Sequence, residues 1–135
     1  MTRLLQQLRQ LRASTRGASA LEFALVAPVL LMLLMGITQL GVLFFAQAGL
    51  KSAVEEAARF ATLWPTPNQS QIEQRIQTRR FGMDPANIVG PTVTFSANQA
   101  PNFVTISMSY RITLNYVFDK KTLILSESRR AYVAN

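Results

Sequence analysis

Residues 17–50 read GASALEFALVAPVLLMLLMGITQLGVLFFAQAGL, and this apolar stretch decides the fold. From Phe23 to Leu50 it carries no charge, and about 20 mainly apolar residues in a helix are enough to cross a bilayer. Four arginines precede it, whereas Lys51 is the first charge after it. We therefore predict a membrane-spanning helix over residues 23–45, with its N-terminus in the cytoplasm and its C-terminus outside. The alternative is a buried core helix, but a domain of this size rarely encloses a helix that is apolar all round.

Much of the basic excess lies before the apolar run. The chain has 135 residues and a net charge of +7. Arg3, Arg9, Arg12 and Arg16 supply +4 of this charge before Ala18, and no acid accompanies them. This segment is either an amphipathic helix on the membrane surface or an unstructured basic leader. Because its arginines lie beside a membrane span, they indicate orientation rather than nucleic-acid binding.

The chain contains neither cysteine nor histidine. Disulfides, thiolate metal sites and the Cys/His and Ser/His/Asp arrangements of nucleophilic catalysis are therefore excluded within it. Phosphate-binding and dinucleotide-binding glycine motifs are also missing from the sequence. Glu55 and Glu56 are neighbours that point in different directions on a helix, and we expect both to be solvated. No enzyme activity, metal site, cofactor or small-molecule substrate is predicted.

The helical pattern continues past the apolar run as far as Pro65, but its apolar residues now lie on one side. These are Leu50, Ala53, Val54, Ala57, Ala58 and Ala61. A single helix is expected from Ala18 to about Leu63, with a first half suited to lipid and a second half suited to packing on a domain. Small residues at 49, 53, 57 and 61 form a ridge. It seats either an element of the same domain, which we favour, or another helix.

The rest of the chain predicts one short helix and three strands. The helix is expected over residues 69–81, with Ile72, Ile76 and Phe81 on its inner side, and residues 82–91 are expected to be a loop. Residues 103–118 alternate apolar and polar side chains, which is typical of a strand with one buried face. Two further strands are expected at 92–97, with Val93, Phe95 and Ala97 on one face, and at 122–135, after a turn at 119–121.

These elements predict an α+β fold, in which one long N-terminal helix packs on a small antiparallel sheet. The apolar face of the sheet needs a cover, and the second half of the helix is the obvious candidate. Three segments follow from this organisation: a basic leader at 1–17, the transmembrane half of the helix at 18–50, and an extracytoplasmic domain at 51–135.

The stretch RGASALEF at residues 16–23 resembles the processing site of type IV prepilins, in which a short basic leader ends in glycine and a glutamate is the fifth residue of the mature chain. The resemblance implies cleavage between Gly17 and Ala18, with Glu22 in that fifth position and Phe23 beside it. With Pro28 soon after the glutamate, the longer run is similar to the TadE/TadF-like pseudopilins of Tad/Flp type IVb pili. The fold predicted above has the architecture of type IV pilins.

This resemblance implies a minor pilin or pseudopilin, cut by a prepilin peptidase, that initiates, primes or caps an adhesive Tad/Flp pilus or serves its secretion machinery. The other partners of such a protein would be pilins, pseudopilins, the inner-membrane pilus platform and lipid. It would be a single-pass protein of the bacterial inner membrane, or extracellular within a pilus that supports adhesion and biofilm formation. Major Flp pilins are much shorter and nearly all helix, whereas this chain continues well beyond Leu63, as far as Asn135.

Glu22 and Pro28 each have two interpretations. A carboxylate suits the first turn of a helix, where the dipole contributes about 0.3–1 kcal/mol. Alternatively, the amine created at Ala18 by cleavage pairs with Glu22, either one turn away in the same chain or from a neighbouring subunit, as is usual in pilin-like families. Pro28 removes a backbone donor and should loosen the helix, either as a tolerated membrane proline or as a feature of assembly.

Two other fates of the N-terminal segment are open. Ala46-Gln47-Ala48 has the form cut by signal peptidase, which would release a soluble domain beginning at Gly49, although the uncharged run is longer than the usual apolar region of roughly 7–15 residues. The segment could also remain uncut, as the single-span anchor of an extracytoplasmic structural protein. The first residue of the mature protein separates the three cases: Ala18, Gly49 or Met1.

Overall fold

The computed structural model describes residues 15–96, 101–116 and 119–133. Helix α1 spans Thr15–Ala61, 47 residues with Pro28 inside. The predicted single long helix is therefore confirmed, although it begins slightly before Ala18 and ends slightly before Leu63. The chain divides into two compact units, one up to Ile37 and one from Thr38 onward.

Helix α2 spans Gln69–Arg79 and begins with a capping box. The side chain of Asn68 accepts a hydrogen bond from the Gln71 amide at 2.9 Å, and the Gln71 side chain accepts one from the Asn68 amide at 2.9 Å. These bonds satisfy amides that the first turn leaves without helical partners. Ile72 and Ile76 are buried as predicted. Phe81 lies beyond the helix end and is 44 % exposed, so its predicted inner position is wrong.

Three antiparallel strands form one sheet in the order β1-β2-β3. They are β1 at Ile88–Phe95, β2 at Phe103–Asn115 and β3 at Lys120–Tyr132. The α+β fold class is confirmed.

The first strand begins earlier than predicted. The expected loop over 82–91 contains a 3₁₀ turn at Pro85–Asn87 and then the first residues of β1. The pairing with β2 shifts register between Val89 and Thr92, where Gly90 has a φ of 97°. Such a bulge on an edge strand accommodates a proline that would disrupt a regular ladder. Phe95 is 38 % exposed rather than buried, and Ala97 lies outside the described residues.

The alternating pattern of β2 is confirmed, because its inward residues are all buried: Val104, Ile106, Met108, Tyr110, Ile112 and Leu114. The strand ends before Tyr116, which is exposed, and Phe118 lies outside the described residues. The turn predicted at 119–121 comes earlier in the chain than expected, because β2 ends at Asn115. The Tyr116 amide donates to the Asp119 carbonyl at 2.7 Å, and β3 begins at Lys120.

One hydrophobic core joins the second half of α1 to α2 and the sheet. It contains Leu50, Ala53, Val54, Ala57 and Ala61, which confirms that this half of the helix covers the sheet. The small-residue ridge is buried within its own unit, as favoured. At Gly49 the absence of a side chain admits the backbone of Phe81, since a Cβ would overlap the Phe81 carbonyl.

Candidate functional site

The predicted site residues lie at the start of α1. Gly17 and Ala18 are in its first turns, and Glu22 and Phe23 follow in the same unbroken helix. All four are exposed. Among the leader arginines, Arg16 falls on the first turn of α1, whereas Arg3, Arg9 and Arg12 lie outside the described residues.

Residues 17–37 present an apolar surface all round the helix. Every large apolar side chain in this range is exposed: Leu21, Phe23, Leu25, Val26, Val29, Leu30, Leu31, Met32, Leu33, Leu34, Met35 and Ile37. A core helix would bury these residues, so the buried-helix alternative is wrong for this segment. The helix is long and apolar enough to cross a membrane, which is compatible with a single-pass anchor.

Glu22 is the only acidic residue between positions 15 and 54, and its neighbours Leu21 and Phe23 are 64 % and 72 % exposed. Because the helix is continuous from Thr15, Glu22 lies one turn from Ala18 on the same face. The arrangement can form an ion pair with an amine. It cannot hold a metal by itself, and the described part of the chain contains no cluster of three or more potential metal ligands.

Pro28 lies within the apolar run, between Glu22 and most of its large apolar residues, and the helix continues through it. Proline has no N–H, so residue 28 cannot donate to the carbonyl of Ala24. One turn of the helix therefore lacks a backbone hydrogen bond within an exposed apolar surface.

We expected Glu55 and Glu56, in the second half of α1, to be solvated, but both form ion pairs. Glu55 accepts a hydrogen bond from Arg129 of β3 at 2.8 Å, and Glu56 accepts one from Arg75 of α2 at 2.6 Å. The bond from Arg75 is the main reason that the pKa of Glu56 is lowered. These neighbouring acids therefore connect α1 to two different elements, and the sequence offers no signal for partners as distant as Arg129.

Comparison with known proteins gives one match. Residues 17–59 match the profile of a family described as TadE-like protein. No curated protein and no solved structure is significantly similar to the chain. The matched segment starts at Gly17, includes Glu22 and Pro28, and ends just before the end of α1. The resemblance expected from the sequence is thus confirmed over this helix.

Proposed function

We propose that this chain is a minor pilin or pseudopilin of a Tad/Flp-type adhesive pilus, because its residues 17–59 match the family model of TadE-like proteins. The TadE-like family is structural and associated with Tad pili rather than enzymatic. We further propose that a prepilin peptidase cuts the chain between Gly17 and Ala18, and that the mature subunit helps to initiate, prime or cap the pilus. The observation that carries this proposal is the single carboxylate of Glu22 at the start of an exposed apolar helix.

In this proposal residues 23–45 span the inner membrane, with the leader in the cytoplasm. Glu22 lies at the cytoplasmic edge of this span, and its carboxylate becomes costly if it is buried unpaired among apolar helices. Cleavage after Gly17 places a cationic amine at Ala18, one helical turn from Glu22, and so supplies a charge that offsets this cost. Between subunits, the amine of an incoming chain meets the Glu22 of a chain already packed in the pilus. The partners are accordingly the peptidase, other pilins and pseudopilins, and the inner-membrane platform.

The packing of the unit from Thr38 onward supports this cleavage site over the one before Gly49. Ala46 is fully buried in the core, and the ring of Phe45 lies 5.6 Å from that of Phe81. A cut before Gly49 would remove both residues from the folded unit. A cut after Gly17 leaves the core whole.

Mass spectrometry of the protein extracted from membranes tests the proposal. The wild-type chain is expected to begin at Ala18, and Gly17→Arg should remain uncut because its side chain prevents close approach of the backbone to the peptidase. Thr15→Arg is the matched control, with the same added charge slightly upstream, and should be processed.

A Gly17→Arg chain that still begins at Ala18, in cells that still form pili, would contradict the processing proposal. A wild-type chain that begins at Gly49 would indicate secretion, and an intact Met1 would indicate an uncut anchor.

A further inference from the structure

A cluster of charged side chains lies where the last turns of α1 face α2. Arg75 of α2 donates from Nη2 to Oε1 of Glu56 at 2.6 Å, and its guanidinium lies 5.6 Å from the ring centroid of Phe60. The charges of Arg79 and Arg59 add to the effect of Arg75 in lowering the pKa of Glu56. The positive charges of three guanidinium groups therefore act on the carboxylate of Glu56.

The internal ion pairing does not use up these positive charges. Within the described part of the chain, no carboxylate lies within 4.0 Å of Arg59 or Arg79. The Nε donor of Arg75 is buried and has no hydrogen-bond partner there. Glu73, the single acid of α2, instead accepts a hydrogen bond from Gln69 at 2.8 Å. Three arginines against one glutamate exceed what the contact between the two helices requires.

Glu56, Arg59 and Arg75 of this cluster line a concave surface. We call it the arginine cleft; its volume is about 280 Å³, and its walls are Glu56, Arg59, Phe60, Thr62, Leu63 and Arg75. A second shallow hollow shares Phe60 and Arg75 with the first and extends along α2 to Thr78. Directly after the cleft residue Leu63, which is 54 % exposed, comes Trp64, which is 73 % exposed. Tryptophan and arginine are among the residues most enriched at the positions that dominate protein–protein affinity.

We propose that the arginine cleft binds an acidic segment of a partner protein. A carboxylate of that segment is held by the guanidinium groups of Arg59 and Arg75, Arg79 adds positive charge one helical turn from Arg75, and a neighbouring apolar side chain packs on Leu63 and Trp64. Guanidinium presents a planar fork of donors that matches a carboxylate, and the excess positive charge selects an acidic partner. A shallow open cleft suits a side chain presented by a macromolecule better than a small molecule, which usually occupies an enclosed pocket.

The inference is independent of pilus assembly, because every residue it uses lies between 56 and 79. It can be tested on the full-length protein in neutral detergent. Trp64 is the only tryptophan, so its fluorescence reports binding beside the cleft. An acetylated Glu-Glu-Leu-Glu-Glu peptide should produce a saturable change in emission, and its glutamine counterpart should produce none.

Arg59→Gln combined with Arg79→Gln should weaken binding of the acidic peptide about five- to tenfold, since each partly exposed ion pair contributes modestly. Arg75 is left intact because it holds Glu56. The matched control is Arg111→Gln combined with Lys120→Gln, which removes the same charge from exposed positions on β2 and β3 and should leave the affinity unchanged. If the double variant loses the circular dichroism spectrum of the folded protein, Arg59→Gln alone replaces it, with weaker binding still expected.

Three results would overturn the proposal. One is the absence of a saturable change with the acidic peptide, and another is equal weakening in the control, which would indicate net charge alone. The third is binding of inorganic phosphate or of anionic phospholipid vesicles as tightly as the peptide, which would indicate a site for anions or membrane rather than for a protein segment.

Discussion

Glu22 is one acidic side chain at the head of a helix that carries no further charge until Lys51. Its position one turn from Ala18 matters only once residue 18 bears an amine, which exists after cleavage and not before. The carboxylate therefore acts at assembly in our proposal, whereas the peptidase recognises the backbone around Gly17.

Glu22→Ala is accordingly expected to leave cleavage unchanged and to lower incorporation into pili on the order of tenfold or more, because the amine of a neighbouring subunit loses a partner within the apolar packing. Immunoblots of sheared pili and of membranes measure the two steps separately. Gln39→Ala removes another polar group of the same apolar segment and serves as the control. Normal pilus incorporation of the Glu22→Ala chain would exclude the role of Glu22 between subunits.

Gly49 shows the opposite case, in which a missing side chain is required. Alanine in a helix is normally more stable than glycine by about 0.5–1 kcal/mol. At Gly49 a Cβ would overlap the carbonyl of Phe81, whereas at Gly41 it would meet nothing within 4 Å. Gly49→Ala should therefore destabilise the fold by about 1–3 kcal/mol, as overpacking does.

Urea unfolding of the full-length protein in neutral detergent, followed by circular dichroism, measures this effect. Gly41→Ala is the matched control and should be neutral or slightly stabilising. If both alanine variants were equally stable, the close approach of the Phe81 backbone to α1 would be wrong.

At the scale of elements, the two acids Glu55 and Glu56 connect α1 to different neighbours. Glu55 is bonded to Arg129 of β3, and Glu56 to Arg75 of α2. Successive residues of a helix point about 100° apart, so one adjacent pair can contact elements on two sides. The contact with α2 also assembles the arginine cleft.

The Glu56–Arg75 contact predicts a pH dependence of stability. Arg75 lowers the pKa of Glu56 in the folded protein below its ordinary value of 4.5. The contact with Arg75 therefore stabilises the fold fully at pH values above the ordinary pKa of Glu56. This stabilisation is lost as the pH falls through the lowered pKa of the folded protein. Glu56→Gln should remove part of the acid-induced loss of stability, measured as urea midpoints between neutral pH and about pH 3.

Glu73→Gln is the control, because Glu73 is hydrogen-bonded to Gln69 rather than to a guanidinium. It should retain the acid dependence of the wild-type protein. An acid dependence that is identical in Glu56→Gln and the wild type would show that the ion pair with Arg75 does not stabilise the fold.

For the whole molecule, the sequence predicted more of the candidate assembly segment, residues 16–28 at the start of α1, than of the arginine cleft. Its residues are consecutive along one helix, and a basic leader, a glycine and a lone glutamate are recognisable in order. The cleft combines Glu56 and Arg59 of α1 with Arg75 of α2, and a turn separates these two helices in the sequence. Their sequence spacing does not show that α2 folds back beside the end of α1.

The strands also differ in how much of each the sequence predicted. The alternation in β2 predicted its buried face because each strand residue points opposite to the one before it. The start of β1 was missed, since Gly90 and Pro91 are turn residues in most contexts. Only the pairing with β2, which shifts register at this point, makes them part of a strand.

The sequence by itself determined the long helix, its exposed apolar half, the sheet that the other half covers, and the lone carboxylate of Glu22 shortly after Gly17. Each of these depends on a period or a local motif, and helix and strand geometry translate such patterns directly into faces. Only the tertiary structure decided the partners of Glu55 and Glu56, the backbone contact at Gly49 and the arginine cleft. These depend on which distant segments pack together, because a contact between two elements is set by the fit of both surfaces and not by the pattern of either one.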